Sequence, residues 1–329
     1  MKQDMKNIGI LYGKLSSQSS LDDLDTYTQV KYIKNALSKL AYHPIEIPVN
    51  LNLEKLLIKL KENKISFVFN LVESIANKDN LAAIIPALLD SMGIKYTGSK
   101  AFTFNLTTNK LLLKKLLRLN NVSTPNSVLL SDLSNDNISF EPPYILKSIY
   151  DHASKGLNDK SVFYTKNDLI KYKNKNKIIL NEYFIESYID GREFNIALLG
   201  NQKKTPTVLP CAEIQFINFP ENKPKIIAYK AKWDEQSFEY INTKRNFKFE
   251  KKDYTLLKKL RNISVKCWNV FDVMGYARVD FRIDKNNNPF VLEININPCL
   301  SPDAGFVAAA AESGIDIFEI VKSIISDSI

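Results

Sequence analysis

The first hundred residues alternate short apolar runs with longer segments of helical spacing. The runs at 7–13, 44–48, 65–70 and 94–98 predict strands, and the segments at 25–40, 53–60 and 81–92 predict helices. This alternation is typical of a doubly wound parallel sheet. Ligands bind beyond the carboxyl ends of the strands in such sheets, so we expect the loops at 12–16 and 71–80 to contact substrate.

A second unit follows, with shorter strands. A strongly periodic helix is predicted at 108–119, with Thr107 or Thr108 as its N-cap. Strands are predicted at 127–130, 144–147, 161–164 and 178–185, and a further helix at 166–174. The pattern indicates an α+β lobe.

The rest of the chain predicts a third unit that begins with strands. Strands at 193–199, 207–214 and 225–229 precede a long helix at 254–270, two adjacent strands within 275–298 and a helical section at 303–325. We therefore predict three domains, at residues 1–100, 101–190 and 191–329.

Composition narrows the class of protein. Apolar residues make up 45% and charged residues 25%, as in ordinary globular proteins, and no stretch approaches the ~20 apolar residues of a membrane span. The N-terminus lacks a signal-peptide pattern and three scattered cysteines fit a reducing compartment, so we expect a cytoplasmic protein. The net charge of +9 comes from dispersed lysines, which argues against a nucleic-acid groove and favours a positive cleft for phosphates.

The segment 275–298, GYARVDFRIDKNNNPFVLEININP, carries the most chemical information. It predicts two paired strands joined by an Asp-Lys-Asn-Asn-Asn turn. Because strand side chains alternate between faces, a core face is predicted for one set of residues: Val279, Phe281, Ile283, Phe290, Leu292 and Ile294. The opposite face then presents Asp280, Glu293 and Asn295 close together, beside Arg278.

Two carboxylates on one sheet face repel unless a positive charge lies between them. Mg²⁺, with Mn²⁺ as an alternative, prefers oxygen ligands and is commonly shared with phosphate oxygens. Arg278 could hold a phosphate oxygen or a developing oxyanion on the same face. The alternative is an exposed hairpin with its polar side outward. Asparagines at both alternate positions after Glu293 are a poor choice for such a strand, which favours the metal site.

Three other segments are weaker candidates for a nucleotide site. Lys147 ends a predicted strand and enters the loop SIYDHASKGL, where it could grip phosphates, although the loop matches neither GxxxxGK[ST] nor GxGxxG. The linker at 181–193 could offer backbone groups to an adenine and a carboxylate to a ribose. Lys230 and Lys232 share one face of a predicted strand end, and one of them could reach a γ-phosphate. Each segment taken alone also fits an ordinary solvated surface.

Read in order, these segments resemble the ATP-grasp superfamily, and most closely the D-alanine–D-alanine ligases. The resemblance runs over nearly the whole chain and includes FNLVES (69–74), YILKS (144–148), EYFIESYIDGREFNIALLG (182–200), AYKAKW (228–233) and FVLEININP (290–298). It implies an ATP-grasp fold of α/β and α+β parts. A Rossmann-like N-terminal domain would precede two lobes that hold ATP between them.

The resemblance also implies the roles of individual residues. Lys110 and Lys147 would contact the phosphates, the loop of Ser154 would close over them, and Lys232 would approach the γ-phosphate. Around the nucleoside, the implied contacts are Glu186, Tyr188 and Ile189 for adenine and Glu193 for ribose. The magnesium-ligand positions match Asp280, Glu293 and Asn295, and Arg278 would steady the tetrahedral intermediate. A substrate carboxylate would form an acylphosphate, which an amine then attacks.

The amino-acid half departs from the family pattern. The family's N-terminal Gly-Gly and ammonium-binding Glu are replaced by LYGKLSSQSSLDDLDTY, where Asp22 or Asp23 could stand in. Val72-Glu73 stands where His-Gly is expected, and His152-Ala153-Ser154 replaces the usual Gly-Ser-Ser. After the metal strand, PCLSPDAG replaces the family's Pro-Gly-Met-Thr and following Ser.

These departures favour a ligase for other amino acids or peptide-like substrates over a ligase that makes the cell-wall dipeptide. Candidate substrate contacts are Glu73, Asp22, Ser301 and Asp303. A non-catalytic nucleotide-binding protein of the same fold is a further alternative. The resemblance suggests a homodimer, and we expect small-molecule substrates but neither nucleic acid nor membrane as a partner.

Overall fold

Three β-sheets carry the fold. The computed structural model describes residues 6–15, 21–135, 138–176, 179–203 and 205–328, without the side chains of 21–23 and 134–135. In chain order the sheets contain four, four and six strands. In these ranges, none of the helices combines the length and apolarity that crossing a bilayer requires.

The first sheet is parallel throughout, as the alternation predicts. Its strands are β1 (Asn7–Gly13), β2 (His43–Val49), β3 (Phe67–Asn70) and β4 (Lys95–Tyr96), in the order β2-β1-β3-β4. The connecting helices are α1 (Leu21–Lys39), α2 (Leu53–Glu62) and α3 (Ile84–Ser91). Side chains of α1 pack on one face of the sheet and those of α2 and α3 on the other, so the sheet is doubly wound.

Two helices, α4 (Ala101–Thr108) and α5 (Lys110–Leu119), occupy the region of the predicted helix at 108–119. The predicted cap is wrong, because the side chain of Asn109 accepts the hydrogen bond from the backbone N–H of Leu112 at 3.0 Å. Thr107 instead lies in α4, where its hydroxyl donates to the carbonyl of Thr103 at 2.9 Å. The break between α4 and α5 places Lys110 at the start of a helix.

The second sheet is antiparallel and forms the central lobe. Its strands are β5 (Ser127–Leu129), β6 (Tyr144–Ser148), β7 (Val162–Phe163) and β8 (Tyr183–Ser187), in the order β5-β8-β6-β7, with α6 at Lys166–Lys175. The strand predicted at 178–185 begins only at Tyr183, because residues 180–182 form a 3₁₀ turn; position 178 lies outside the described residues.

The third sheet is also antiparallel and holds the predicted hairpin. Its strands are β9 (Arg192–Leu199), β10 (Thr207–Val208), β11 (Ala212–Phe216), β12 (Thr243–Asn246), β13 (Tyr276–Ile283) and β14 (Pro289–Asn295). The order is β12-β11-β9-β13-β14, and β10 pairs with β9. The helices of this part are α7 (Tyr229–Trp233), α8 (Phe238–Ile241), α9 (Tyr254–Val270), α10 (Gly305–Glu312) and α11 (Ile317–Asp327).

The strand predicted at 225–229 is wrong. Residues 224–228 are irregular, and α7 begins at Tyr229. The backbone groups here find partners other than a neighbouring strand. The N–H of Lys225 donates to the hydroxyl of Tyr188, and the N–H of Tyr229 donates to the carbonyl of Leu157. These tertiary contacts override an apolar pattern that by itself suits a strand.

The first and third sheets meet in a shared core that positions the cleft. Helix α11 packs beside α1 in one apolar cluster that also contains residues of β1 and β9. The hydroxyl of Tyr276 on β13 donates to the side-chain oxygen of Asn297 at 2.5 Å, and the amide of Asn297 donates to the carbonyl of Val72 at 3.2 Å. The end of β14 is thereby fixed against the loop after β3.

Candidate active site

The hairpin of β13 and β14 brings the two predicted carboxylates together. Asp280 lies opposite Glu293 in the antiparallel register, and Arg278 lies opposite Asn295. A bulge follows, because the next pair is Phe281 with Val291, so Leu292 is an extra residue. The bulge corrects the predicted alternation: Val291 is buried in the core, and Leu292 faces the cleft.

A cleft of about 580 Å³ lies where the three sheets approach one another. It is lined by almost every residue that the sequence singles out: Glu73, Lys110, Lys147, Ser154, Glu186, Tyr188, Ile189, Glu193, Lys232, Arg278, Asp280, Glu293, Asn295 and Asp303. We call the part around Lys110, Lys147, Lys232 and Arg278 the lysine-lined half. We call the part around Asp25 and Glu73 the acidic half.

Asp280 is held by two neighbours. The guanidinium of Arg278 donates to both of its carboxylate oxygens at 2.8 Å each, and the amide of Asn195 donates to Oδ1 at 2.8 Å. Burial and the nearby charge of Glu293 raise the pKa of Asp280, while Arg278 lowers it. Arg278 therefore neutralises Asp280 in this structure.

Glu293 lies among basic side chains. Burial alone would raise its pKa, but Lys110, His152, Lys232 and Arg278 together lower the pKa of Glu293 to about 2. The third predicted ligand, Asn295, uses its side-chain oxygen to accept the N–H of Asn297 at 3.1 Å. Among the described residues no group of three His, Cys, Asp or Glu side chains is arranged to hold a metal. Two carboxylates and an amide are an all-oxygen set, which fits Mg²⁺ and not zinc.

A buried chain of charges joins the helix α5 to the central sheet. Glu186 lies between two lysines, with Lys114 at 2.5 Å and Lys147 at 2.8 Å, and Lys114 is completely buried. Burial would raise the pKa of Glu186, but the two lysines lower it, so this carboxylate is ionised. Lys114 was missed in the sequence, although it lies one helical turn after Lys110 on the same face.

The loop of Ser154 is closed over the cleft. Ala153 and Ser154 have positive φ angles of 56° and 61°. The hydroxyl of Ser154 donates to the carbonyl of Ile227 at 2.7 Å, and the indole of Trp233 donates to the carbonyl of Ala153 at 3.4 Å. The loop thus docks on the segment that leads into α7.

Lys232 reaches the cleft from α7, not from a strand. Residues two apart lie roughly 200° apart around a helix, so the prediction that Lys230 and Lys232 share one face is wrong. Lys230 is exposed, whereas Lys232 lines the cleft. Burial and the charge of Arg278 lower the pKa of Lys232.

Asp79 is a further residue that the sequence reasoning missed. It is only 4% exposed, although it is charged and follows a polar loop. Its carboxylate accepts the backbone N–H of His152 at 2.7 Å and lies 3.6 Å from the ammonium of Lys155. Burial and the charge of Lys110 lower the pKa of the His152 imidazole, which favours its neutral form.

The acidic half contains carboxylates with neutral partners. Asp25 accepts hydrogen bonds from the hydroxyl of Ser301 at 2.7 Å and the thiol of Cys299 at 3.0 Å. The side-chain amide of Gln29 donates a hydrogen bond to Oε1 of Glu73 at 3.4 Å. Burial, followed by the charges of Asp79 and Asp25, raises the pKa of Glu73 to about 7. In the part of the chain that the structure describes, neither carboxylate forms an ion pair.

Of the predicted substrate contacts, Ser301 does not reach the cleft and Asp22 has no described side chain. Ser301 is completely buried and does not line the cleft, because its hydroxyl is turned to Asp25. The side chain of Asp22 is outside the described residues. Asp303 lines the cleft, and its carbonyl accepts a hydrogen bond from Arg245 at 3.1 Å.

Comparison with known proteins identifies relatives along the whole chain. Residues 133–326 match the family model described as D-ala D-ala ligase C-terminus. An uncharacterized protein, y4sG of Sinorhizobium fredii, is 33% identical over 78% of this chain and 73% of its own length. A D-alanine–D-alanine ligase of Wolbachia pipientis is 29% identical over 98% of this chain and 94% of its own length.

Solved structures share the fold over almost all residues. The D-alanine–D-alanine ligase from Bacillus anthracis, crystallised with ATP, superposes with a TM-score of 0.75 at 22% identity, covering 99% of this chain and 97% of the other. The D-alanyl-alanine synthetase A from Vibrio cholerae gives a TM-score of 0.76 at 13% identity and 99% coverage of both chains.

Proposed function

This chain belongs to the D-alanine–D-alanine ligase family, a family of ATP-dependent ligases with the ATP-grasp fold, and from that premise we propose which bond it forms and which residues form it. The predicted fold class and ligase activity are confirmed by this membership. We propose that the chain joins the carboxylate of one amino acid or peptide-like substrate to the amine of another. The division at 1–100, 101–190 and 191–329 belongs to the proposal and is supported by one sheet in each part.

The pairing of Asp280 with Glu293 in the wall of the cleft carries the proposal. These carboxylates, with Asn295, would hold Mg²⁺, which supplies charge neutralisation to a phosphoryl group when it is bound. Since Arg278 occupies both oxygens of Asp280 here, the guanidinium would turn toward the substrate carboxylate as the site fills. There it would stabilise the negative charge of the tetrahedral intermediate.

The lysines of the cleft suit phosphoryl transfer, where positioning and charge stabilisation dominate. Lys110 and Lys147 would contact the phosphates, Lys232 would approach the γ-phosphate, and the loop of Ser154 would cover them. A carboxylate oxygen of the first substrate attacks the γ-phosphorus and ADP leaves. The amine of the second substrate then attacks the acylphosphate carbonyl, loses a proton and expels inorganic phosphate.

The nucleoside would lie along the wall formed by β8, the following loop and β9. Glu186, Tyr188 and Ile189 would contact adenine, and Glu193 would accept hydrogen bonds from the ribose. All four line the same cleft as Lys110 and Lys147. The resemblance also supports a homodimer, which sedimentation equilibrium of the purified protein would test.

The acidic half supports substrates other than two D-alanines. Glu73 faces the cleft, and we propose it as a contact for a substrate ammonium, with Asp22 and Asp303 as further contacts. The named Wolbachia relative favours a second candidate, D-alanine–D-alanine ligation itself. A non-catalytic nucleotide-binding role is disfavoured by the two carboxylates that remain opposite each other beside three lysines.

Release of phosphate from ATP with a panel of amino acids and dipeptides tests the proposal, with product masses recorded. Asp280→Asn and Glu293→Gln should each lower turnover by about a thousandfold or more, because charge neutralisation at the phosphates is lost. Glu235→Gln, an exposed carboxylate on the surface, is the matched control. Near-normal turnover in either cleft variant would remove the proposed metal site.

A further inference from the structure

Arg282 is a buried cation that has no role in the reaction proposed above. It follows Asp280 by two residues on β13, so both side chains project from the same face of the sheet. Its side chain is 5% exposed, and it lines the cleft. One guanidinium nitrogen lies 2.8 Å from Oε2 of Glu193 on the neighbouring strand β9.

The contact between Arg282 and Glu193 uses one carboxylate oxygen only. In another arginine–carboxylate pair of this sheet, Arg278 donates to both oxygens of Asp280. A carboxylate offers about four acceptor positions on its two oxygens. Within the described residues no side chain or backbone group donates to Oε1 of Glu193. That oxygen is therefore free to accept a hydrogen bond from a ligand in the cleft.

The guanidinium itself has little freedom to move. It donates to the carbonyl of Gly191 at 3.0 Å and to the carbonyl of Lys225. The rings of Tyr188 and Phe216 lie 6.0 and 5.4 Å from it. A planar guanidinium held at several edges and between rings fixes the orientation of its carboxylate partner.

Burial of Glu193 makes this partner necessary. Its side chain is 9% exposed. Burial raises the pKa of the carboxyl group, and the charge of Arg282 opposes this shift. A protonated carboxyl would lose about half of its strength as an acceptor, because hydrogen bonds to ionised groups are roughly twice as strong as neutral ones. Arg282 thus favours the ionised form of Glu193, which accepts hydrogen bonds from hydroxyl groups more strongly.

We propose that Arg282 is a positioning residue for the nucleotide. It holds Oε2 of Glu193, so that Oε1 can accept a hydrogen bond from a ribose hydroxyl. The inference rests on the proposed function, in which Glu193 contacts the ribose of ATP. The Arg282–Glu193 pair would then determine the preference for ribonucleotides over deoxyribonucleotides. Other residues would carry out the chemistry at the phosphates.

The first measurement needs only the unmodified protein. The KM is measured for ATP, 2′-deoxy-ATP and 3′-deoxy-ATP under conditions of saturating amino-acid substrate. Loss of a hydrogen bond to an ionised group should raise the KM of at least one deoxynucleotide roughly ten- to a hundredfold, with kcat changed by less than about threefold. Equal KM values for the three nucleotides would overturn the inference while leaving the ligase activity intact.

The second measurement uses Arg282→Met and Arg282→Lys. In the methionine variant the KM for ATP should rise about tenfold while the KM for the deoxynucleotide rises much less, so that discrimination disappears. The lysine variant keeps the charge and should restore part of the discrimination. A methionine variant that still discriminates as the natural protein does would overturn the inference.

Arg192→Met is the matched control. Arg192 lies on the same sheet, pairs with Glu213 and Asp253 and stacks on Phe194 at 4.9 Å, but it does not line the cleft. Its loss should lower thermal stability without changing the ratio of KM values. If the ratio also fell in this variant, the effect would belong to the sheet as a whole and Arg282 would have no specific role. An unmodified protein that neither binds nor uses ATP would overturn both this inference and the proposed function.

Discussion

The two halves of the cleft hold their carboxylates in opposite ways. In the lysine-lined half three carboxylates form ion pairs: Glu186 with Lys114 and Lys147, Glu193 with Arg282, and Asp280 with Arg278. The charges of nearby lysines lower the pKa of the fourth, Glu293. In the acidic half Asp25 and Glu73 have only hydroxyl, thiol and amide partners in the described residues.

The lysine-lined half is therefore largely preorganised for its ligand, whereas the acidic half needs a ligand to balance its negative charge. The pairs of Glu186 and Glu193 need little further reorganisation when a nucleotide arrives, and they hold neighbouring side chains in place, whereas Arg278 has to release Asp280. Desolvation of Glu73 without a cationic partner raises its pKa, so a proton or a cationic ligand would stabilise this carboxylate. We therefore expect the lysine-lined half to govern how ATP is held and the acidic half to govern which substrate is accepted.

Lys114→Met tests how much the ion pair with Glu186 stabilises the lysine-lined half. It has the largest expected effect on the free energy of unfolding. Removing one partner of a buried pair leaves an uncompensated charge, so the free energy of unfolding should fall by about 3–5 kcal/mol. Lys147 still contacts Glu186, which places the result at the lower end of that range. Chemical denaturation measures the change.

Lys115→Met is the control for this variant, since Lys115 is exposed on the next position of α5. Its free energy of unfolding should stay within about 0.5 kcal/mol of the natural value. If both lysine variants lose the same stability, the buried pair does not distinguish this half of the cleft.

Glu73→Gln tests the acidic half through its pH dependence. The pKa of Glu73 is about 7 in the folded protein and 4.5 in its ordinary state, so the folded protein binds the extra proton between these values. Stability from this group is then present below pH 4.5 and is lost as the pH rises toward 7. At about 1.4 kcal/mol for each pKa unit, the loss is on the order of 3 kcal/mol.

Denaturation of the natural protein and Glu73→Gln at pH 5 and pH 8 isolates this contribution, because other groups cancel in the difference. The variant should gain stability relative to the natural protein at pH 8. Glu235→Gln, at an exposed position, should show no such change. A constant difference between the natural protein and Glu73→Gln across this range would remove the contrast between the two halves.

The sequence predicted the parts of this site that depend on local pattern. Alternation within 275–298 placed Asp280 and Glu293 on one face, and the end of β6 placed Lys147 at a loop. The bulge at Leu292 was not predictable, because one extra residue shifts the register without a residue type that marks it. The short helix α7 was misread as a strand because its contacts come from distant loops.

Charge pairing was the least predictable feature. Lys114 and Glu186 are 72 positions apart in the chain, and Arg282 and Glu193 are 89 positions apart. No local period connects such residues. Packing of α5 against the central sheet brings Lys114 to Glu186, and the pairing of β9 with β13 brings Glu193 to Arg282. The family resemblance supplied the roles of residues at matching positions, whereas Asp79, Lys114 and Arg282 came from the structure alone.

Asp79→Ala tests whether the two halves act separately, and its expected effect is the smallest. Asp79 belongs to the loop after β3, yet it holds the backbone N–H of His152 in the loop that covers the phosphates. Loss of this charge-assisted hydrogen bond, worth about 1.5–3 kcal/mol, should raise the KM for ATP at least tenfold. Asp90→Ala, which removes a pair with Lys100 outside the cleft, is the control and should leave that KM unchanged. Should Asp79→Ala leave the KM for ATP unaltered, the phosphate loop is ordered without the N-terminal unit, and each half of the cleft can then be redesigned independently of the other.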